Sequence, residues 1–592
     1  MPRRAMAWFA VLPLTLAVTF PGDTPVLHGS QPARLVTTLR RPAAATLLPD
    51  GRTVCVANRR SGSVSIVDLH AGRVVAELAV GTALAGITVA PDGKHMLVVD
   101  EEKHELIVLA VDGTRLTPRC RLGVAPYPVS VVVLPGGKAS VATLWSRTLE
   151  LIDLSALSTA GSAPRLRTLH TIRLPFAPRL QCVLPEGRLA VADSFGGGLA
   201  VIDTAAGQLT VAHELAGHNI RGLAVSADSR NLLVAHQLID SKVPITKETI
   251  RTGELLGNVL RRLPLDHLNR ADEQPEKHGS LISLGGVGAG AGDPAGVALS
   301  GDGRVAVALA GVNEVALLAP DGRLDQRVGV GRCPTAVLAI PHGRLVVVNS
   351  LDDSLSVLNQ GGAVVQTIEL GPQPKLGFRE RGEQLFYDAR LSYQGWMSCH
   401  SCHTDGHTSG VLADTLGDGT HGTPKRTLTL LGTRLSDPWA WDGSMKYLHD
   451  QVEKSLEQTM HAPTLAPAEL GDLVSFVASL AAPPPFEPPG DDADRTQIER
   501  GRKVFEDRGC VRCHIPPVTY SSHGTFDVGF ADEAGLRKFN PPSLRGVGHG
   551  RRLLHDGRAG SLAEVFTKFK HKVGDELRDE DRADLLRFLR SL

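Results

Sequence analysis

Two short segments hold the residues best able to do chemistry. Cys399-His400-Ser401-Cys402-His403 and Cys510-Val511-Arg512-Cys513-His514 both read C-x-x-C-H. Thiols at this spacing lie about one helical turn apart, with a histidine directly behind them. That is the pattern of covalent haem c attachment: the thiols add across two vinyl groups, and the histidine binds iron on the proximal side. A zinc site would need a second ligand pair close by, whereas the two cysteine pairs are 111 residues apart. A redox dithiol has no use for a trailing histidine that occurs twice. The expectation is two covalently bound haem c groups. Cys399, Cys402, Cys510 and Cys513 attach them, and His403 and His514 are the proximal iron ligands.

The surroundings of the two motifs repeat. Arg381-Gly382 with Leu385-Phe386 precedes the first, and Arg500-Gly501 with Val504-Phe505 precedes the second. Leu430-Leu431-Gly432-Thr433 leads to Trp441-Asp442-Gly443, and Leu544-Arg545-Gly546-Val547 leads to His555-Asp556-Gly557. Each half closes on apolar residues at helical spacing, Leu473 to Leu480 and Leu585 to Leu592. A Pro-rich stretch between them reads as a stiff linker. The C-terminal third is thus expected to be two all-α cytochrome c domains, 375–482 and 495–592, joined by a linker over 483–494.

On these motifs, residues from about 377 to 592 resemble the bacterial di-haem cytochrome c peroxidase superfamily, which includes the di-haem enzyme that matures methylamine dehydrogenase. The resemblance implies two haem domains face to face, with a tryptophan carrying electrons between the rings; Trp441 matches it. It also implies a glutamine near the peroxidatic iron, matched by Gln451, and a glutamate that does not carry over: the stretch reads Gln458-Thr459-Met460-His461, with Glu457 slightly early. Calcium between the haem domains is a further implication, although no spacing selects its ligands. His571, fifteen residues after Asp556, stands where relatives place a distal ligand. For the first iron the distal candidates are Met460, then His421; His407, close behind His403, is expected to bond a propionate or a proximal group. An iron with both axial positions filled by the protein passes electrons, whereas an open one can bind peroxide.

The elements that must position these groups occupy the first two thirds. A turn signal recurs at Pro49-Asp50-Gly51-Arg52, Pro91-Asp92-Gly93-Lys94, Pro135-Gly136-Gly137-Lys138 and Pro185-Glu186-Gly187-Arg188. Weaker copies lie at 227–230, 301–304 and 341–344. The intervals are 42, 44, 50, 42, 74 and 40 residues, and alternating apolar strands follow each turn. A period near 40–45 residues with four strands per unit marks a propeller blade, so a seven-bladed all-β propeller is expected over 31–374. These repeats resemble YVTN-type propellers of exported bacterial proteins, although the tetrad itself is absent. The long interval carries an insertion over about 238–278, with a short helix expected in Thr249 to Leu263. It is expected to pack on the domain that follows.

The whole chain of 592 residues has 63 basic and 63 acidic side chains. No net field exists to gather nucleic acid or anionic lipid. Arg3 and Arg4 precede an apolar stretch to Phe20, which reads as a signal peptide or, lacking a clean Ala-x-Ala site, an uncleaved anchor over 1–30. A periplasmic or otherwise exported protein follows, with membrane association only through this segment. The expected function is electron transfer with small c-type cytochromes, the propeller serving as docking or substrate surface. The alternatives are a di-haem peroxidase reducing hydrogen peroxide, a di-haem oxidase acting on a substrate held by the propeller, and a redox relay without catalysis. The propeller histidines show no ligand spacing, and Cys55, Cys120, Cys182 and Cys333 are too scattered to suggest bridges.

Overall fold

The computed structural model describes residues 38–158, 164–416, 420–573 and 577–592; the proposed export segment lies outside them. Among the described residues, no helix is long and apolar enough to cross a membrane.

Seven four-stranded antiparallel sheets follow one another along the chain from Pro42 to Glu369, each a simple meander. The recurring turn joins the first two strands of a blade. Asp50, for example, accepts the backbone N–H of Arg52 (2.9 Å) and of Thr53 (2.8 Å), while Gly51 takes a left-handed φ of 65°. The Asp supplies the local hydrogen bonds and the Gly the permitted backbone, which is why the signal repeats.

First strands touch first strands around the ring, and Pro42–Leu47 of blade one meets Pro334–Ile340 of blade seven. Second strands such as Thr53–Asn58 are buried along their whole length. Alternation divides their side chains between two seams: Val54 and Val56 pack toward blade seven, Cys55 and Ala57 toward blade two. Each of the seven junctions has its own apolar cluster. Among the described residues, no strand is exchanged to close the ring. The seam between blades one and seven instead adds Asp353, buried, whose carboxylate accepts the N–H groups of Arg40 (2.7 Å) and Arg41 (2.8 Å).

The long interval differs from expectation. Of the stretch Thr249 to Leu263, only the end of a helix over Lys247–Arg251 is helical, and Leu256–Pro264 is a strand paired along its length with Asn231–Ile239. Arg261 and Arg262 hid the alternation, because Arg261 is buried and bonds His236 (2.9 Å) and the Ala216 carbonyl (2.8 Å). The inserted residues therefore form two excursions, before and after that strand. The first packs Ile245, Ile250 and Leu255 against Trp396, Met397 and Met460.

Beyond the propeller, two helical halves repeat. Helix α1 (Phe378–Phe386) crosses α2 (Pro467–Ser479), and α3 (Asp492–Asp507) crosses α4 (Asp579–Arg590). At each crossing an arginine forks an aspartate: Arg381 to Asp472 (2.6 and 2.9 Å) and Arg500 to Asp584 (2.7 and 3.0 Å). The glycine after each arginine lets the helices touch. A Cβ on Gly382 would lie 2.0 Å from the Asp472 carbonyl oxygen, and one on Gly501 2.0 Å from that of Asp584. The stretch read as a linker is shorter and docked: α3 begins at Asp492, capped by Asp491. Glu487 N–H bonds the Arg590 carbonyl (3.0 Å), and Arg587 reaches the Glu487 carbonyl (3.1 Å).

Gly382→Ala and Gly501→Ala should each cost about 3 kcal/mol by forcing their helices apart, read as a loss in urea denaturation. A pH effect comes from His236, whose burial, with Arg261 beside it, pushes its imidazole down to about 3. An unfolded chain protonates this ring below pH ~6.5. Native stability therefore falls as the pH drops from there, by up to ~1.4 kcal/mol per unit. Between about pH 6 and pH 4 the stability profile of His236→Gln should be flatter than that of the parent by roughly this slope.

Candidate haem sites

Both C-x-x-C-H motifs line one cavity of about 760 Å³. The first motif opens a short helix, Cys399–Cys402, with Ser398 and Ser401 forming a capping box. The second is a single tight turn, Cys510–Arg512, after Gly509 in the left-handed region at φ 71°. All eight cysteines are free thiols. Burial pushes Cys399 and Cys402 up to about 12 and Cys510 up to about 11. Each trailing histidine is fixed in the same way: His403 Nδ1 bonds the Leu428 carbonyl (2.8 Å) and His514 Nδ1 that of Tyr520 (2.9 Å). The carbonyl demands a proton on Nδ1, which leaves Nε2 as a lone-pair donor. Burial also holds both rings neutral, each pushed down to about 4.

Trp441 sits between the halves. Its Nε1–H donates to the Arg426 carbonyl (2.8 Å), and its own carbonyl accepts Asn540 N–H (2.8 Å). The indole meets Phe539 and His555 edge-on, each at 6.4 Å. Arg426 N–H in turn bonds the His555 carbonyl (2.7 Å). The tryptophan therefore belongs to both halves at once.

The other candidates separate. Gln451, Met460 and His571 line the cavity with the proximal histidines. Gln451 Nε2 bonds Ser455 Oγ (3.1 Å), and its Oε1 is buried without a partner. Met460 is buried in the apolar core with Trp396 and Leu473. His571 Nδ1 is also buried without a partner, and the ring lies close enough to His514 for their charges to interact. His421 does not line the cavity: its side chain is 47% exposed, 3.8 Å from Asp414. His407 bonds Thr429 Oγ1 (2.9 Å), and its ring faces Trp145 and Phe195 of the propeller.

Sequence reasoning missed the groups that hold the first attachment helix. They come from inner strands and loops of blades four, five and six. Arg179 and Arg221 each place a guanidinium nitrogen 2.7 Å from Asp405 Oδ2, two residues after His403. Burial alone would raise the Asp405 carboxyl, but the two arginines hold it well below the carboxylate range. His218 Nε2 bonds the Ser401 carbonyl (3.0 Å), and Gln237 bonds Ser401 Oγ (3.2 Å). Asp293 accepts the hydroxyls of Ser398 (2.5 Å) and Ser401 (2.6 Å). These residues span 115 positions with no shared spacing, and only the ring brings them together.

Comparison with known proteins agrees with this geometry. Residues 379–487 match the family described as di-haem cytochrome c peroxidase. The region after the propeller is a di-haem cytochrome c peroxidase-like module. Curated relatives include hydrazine synthase subunit gamma of Kuenenia stuttgartiensis, 27% identical over 36% of this chain and 76% of the relative. Cytochrome c551 peroxidase of Nitrosomonas europaea is 25% identical over 38% of this chain and 83% of its own. Methylamine utilization protein MauG of Methylorubrum extorquens is 26% identical over 36% and 76%. Among solved structures, hydrazine synthase of Kuenenia stuttgartiensis aligns with 57% of this chain and all of its own, at 20% identity and a TM-score of 0.47. Haem is the cofactor that this family implies, and the donor set of the peroxidase-like module fits it: two free thiol pairs and two neutral imidazoles on one apolar cavity.

Removing Arg179 and Arg221 together would leave Asp405 with no guanidinium opposite it. The double alanine variant should lose ~3–5 kcal/mol of stability in urea titration. Adding Asp405→Asn should recover part of that loss. A double variant as stable as the parent would contradict the clamp.

Proposed function

We propose that this is an exported di-haem c-type cytochrome that moves electrons one at a time through its peroxidase-like module, with the propeller as the platform that fixes the first haem site. One observation carries the reading: the two C-x-x-C-H motifs open onto one cavity with Trp441 bonded into both halves. When bound, the two haems supply reversible one-electron chemistry at iron.

The chain's own residues divide the work. Cys399, Cys402, Cys510 and Cys513 would hold the haems covalently, and His403 and His514 would present Nε2 to iron. Arg426 is buried beside Trp441, and burial pushes it down to about 10. Among the described residues it faces no carboxylate, so its charge suits a haem propionate, since an isolated buried charge is costly. At the second site, His571 would be the further candidate to hold the haem, its Nδ1 having no other partner. This site would then serve as the entry point for electrons from small c-type cytochromes. At the first site Met460 is the candidate donor, from within its apolar core.

A second reading, reduction of hydrogen peroxide at the first haem, is favoured by Gln451. Its unpartnered Oε1 lies in the same cavity and would be able to accept a hydrogen bond from hydrogen peroxide. Against it stands the missing glutamate, because O–O cleavage needs an acid–base group within reach. Gln458 and Met460 occupy that stretch instead.

Optical and EPR spectroscopy of haem-loaded protein separates the readings. Electron transfer alone requires two low-spin ferric signals that peroxide leaves unchanged, and Met460→Ala should convert one of them to high spin. A high-spin component in the parent that peroxide consumes would favour the peroxidase. A protein that carries fewer than two covalent haems would end both.

A further inference from the structure

The second excursion of blade five holds a cluster that the haem chemistry does not use. His267 lies on a short helix, Leu265–Leu268, and His278 ends the turn Pro275–His278; Glu273 stands between them in sequence. The two imidazoles stack face to face, 3.9 Å between centroids and 4° from parallel. Both aim at one carboxylate oxygen: His267 Nδ1 bonds Glu273 Oε2, and His278 Nε2 stands 3.8 Å from it. Arg270 occupies only the other oxygen, Oε1, at 2.6 Å.

We infer that His267, Glu273 and His278 form a binding site for a divalent late first-row metal ion, zinc being the type case. One ligand atom from each residue lies within 4.8 Å of the other two. Tetrahedral zinc with bonds of ~2.0–2.1 Å sets its ligand atoms roughly 3.4 Å apart. To reach that spacing the hydrogen-bonded His267–Glu273 pair opens, the His278 nitrogen closes by about 0.4 Å from its 3.8 Å, and the stacked rings tilt apart, shifts that side-chain rotation supplies. Two imidazole nitrogens and one carboxylate oxygen suit zinc, copper or nickel, and they disfavour calcium and magnesium, which take oxygen ligands. The His278 side chain is 45% exposed, which leaves a fourth position for water. On binding, His267 moves its proton from Nδ1 to Nε2, so Nδ1 and Glu273 Oε2 both face the ion.

Arg270 holds one oxygen of Glu273, and two imidazole nitrogens gather on the other, which an ordinary pairwise contact does not require. The loop is also fixed in place from below, since His213 Nε2 on blade four bonds the Leu268 carbonyl at 2.9 Å. Its metal would staple the connection between the third and fourth strands of blade five.

The test uses the full-length protein stripped with a chelator, reloaded with zinc chloride, desalted and assayed for zinc per chain by mass spectrometry. One zinc per chain is expected to stay bound, and the melting temperature should rise with added zinc. His267→Ala and His278→Ala should each weaken retention by at least ~100-fold, beyond the ~10–100-fold that loss of an outer partner costs. They should also abolish the melting shift. His95→Ala removes a His–Asp pair on blade two that lacks a third ligand, and it should change nothing. A roughly hundredfold excess of calcium should not displace the zinc. Retention far below one ion per chain, retention in either alanine variant equal to the parent's, or displacement by calcium would overturn the assignment.

Discussion

The polar surface of a four-residue helix, Cys399–Cys402, is buried against a β-propeller, and the chain around it is organised by the need to satisfy that surface. A buried carbonyl, two serine hydroxyls and the nearby Asp405 carboxylate cannot go unpaired without a cost of several kcal/mol. Three blades supply the partners: guanidinium groups for Asp405, an imidazole for the Ser401 carbonyl, and the Asp293 carboxylate for both hydroxyls. Because those partners project from a rigid ring, the motif that would carry the first haem is held by a scaffold instead of a loop. Positioning of that kind is what a redox centre requires to keep its distance and orientation to a neighbour.

The two halves of the module share their local devices and differ in their surroundings. Both use an arginine–aspartate fork over a glycine crossing, and both fix the histidine tautomer through a carbonyl. Both meet the propeller, in different ways. The first attachment helix is itself bonded to the blades, whereas the second half touches the ring through Arg551, which pairs with Asp193 (2.9 Å) and Glu214 (2.5 Å), and through the His549 carbonyl, which accepts from Arg147 (2.6 Å). Around the second motif, Ile515 and Val518 are half exposed or more, and the attachment turn lacks the serine cap of the first.

Much of this was legible in the residues, and what was hidden has physical reasons. Blade turns showed because an Asp for local backbone bonding and a Gly for a left-handed φ suit the position, so one or both recur at most copies. The two C-x-x-C-H motifs were legible because their pattern is local, and the structure brings both onto one cavity. Leu256–Pro264 was hidden because two arginines broke its alternation, one of them buried against His236. Asp472 and Asp584 were hidden because a fork between helices 91 and 84 residues apart leaves no local signature. The clamp on Asp405 was hidden for the same reason: Arg179 and Arg221 look like ordinary strand charges until the ring closes. The Pro-rich stretch reads as a spacer by composition, and its docking depends on Arg587, a hundred residues away from Glu487.

Because every blade is made of four consecutive strands, the described residues close the ring through side chains, Asp353 among them. Helix α1 lies across that closure. Glu383 bonds Arg41 of the first blade (2.6 Å), Gln384 bonds Arg332 before the last blade, and Glu380 pairs with Arg60 (2.5 Å). The peroxidase-like module thus acts as a latch on the propeller that carries it. Opening the ring would strain the latch, and pulling the latch away would uncover the seam between first and last blades, so the two parts support each other.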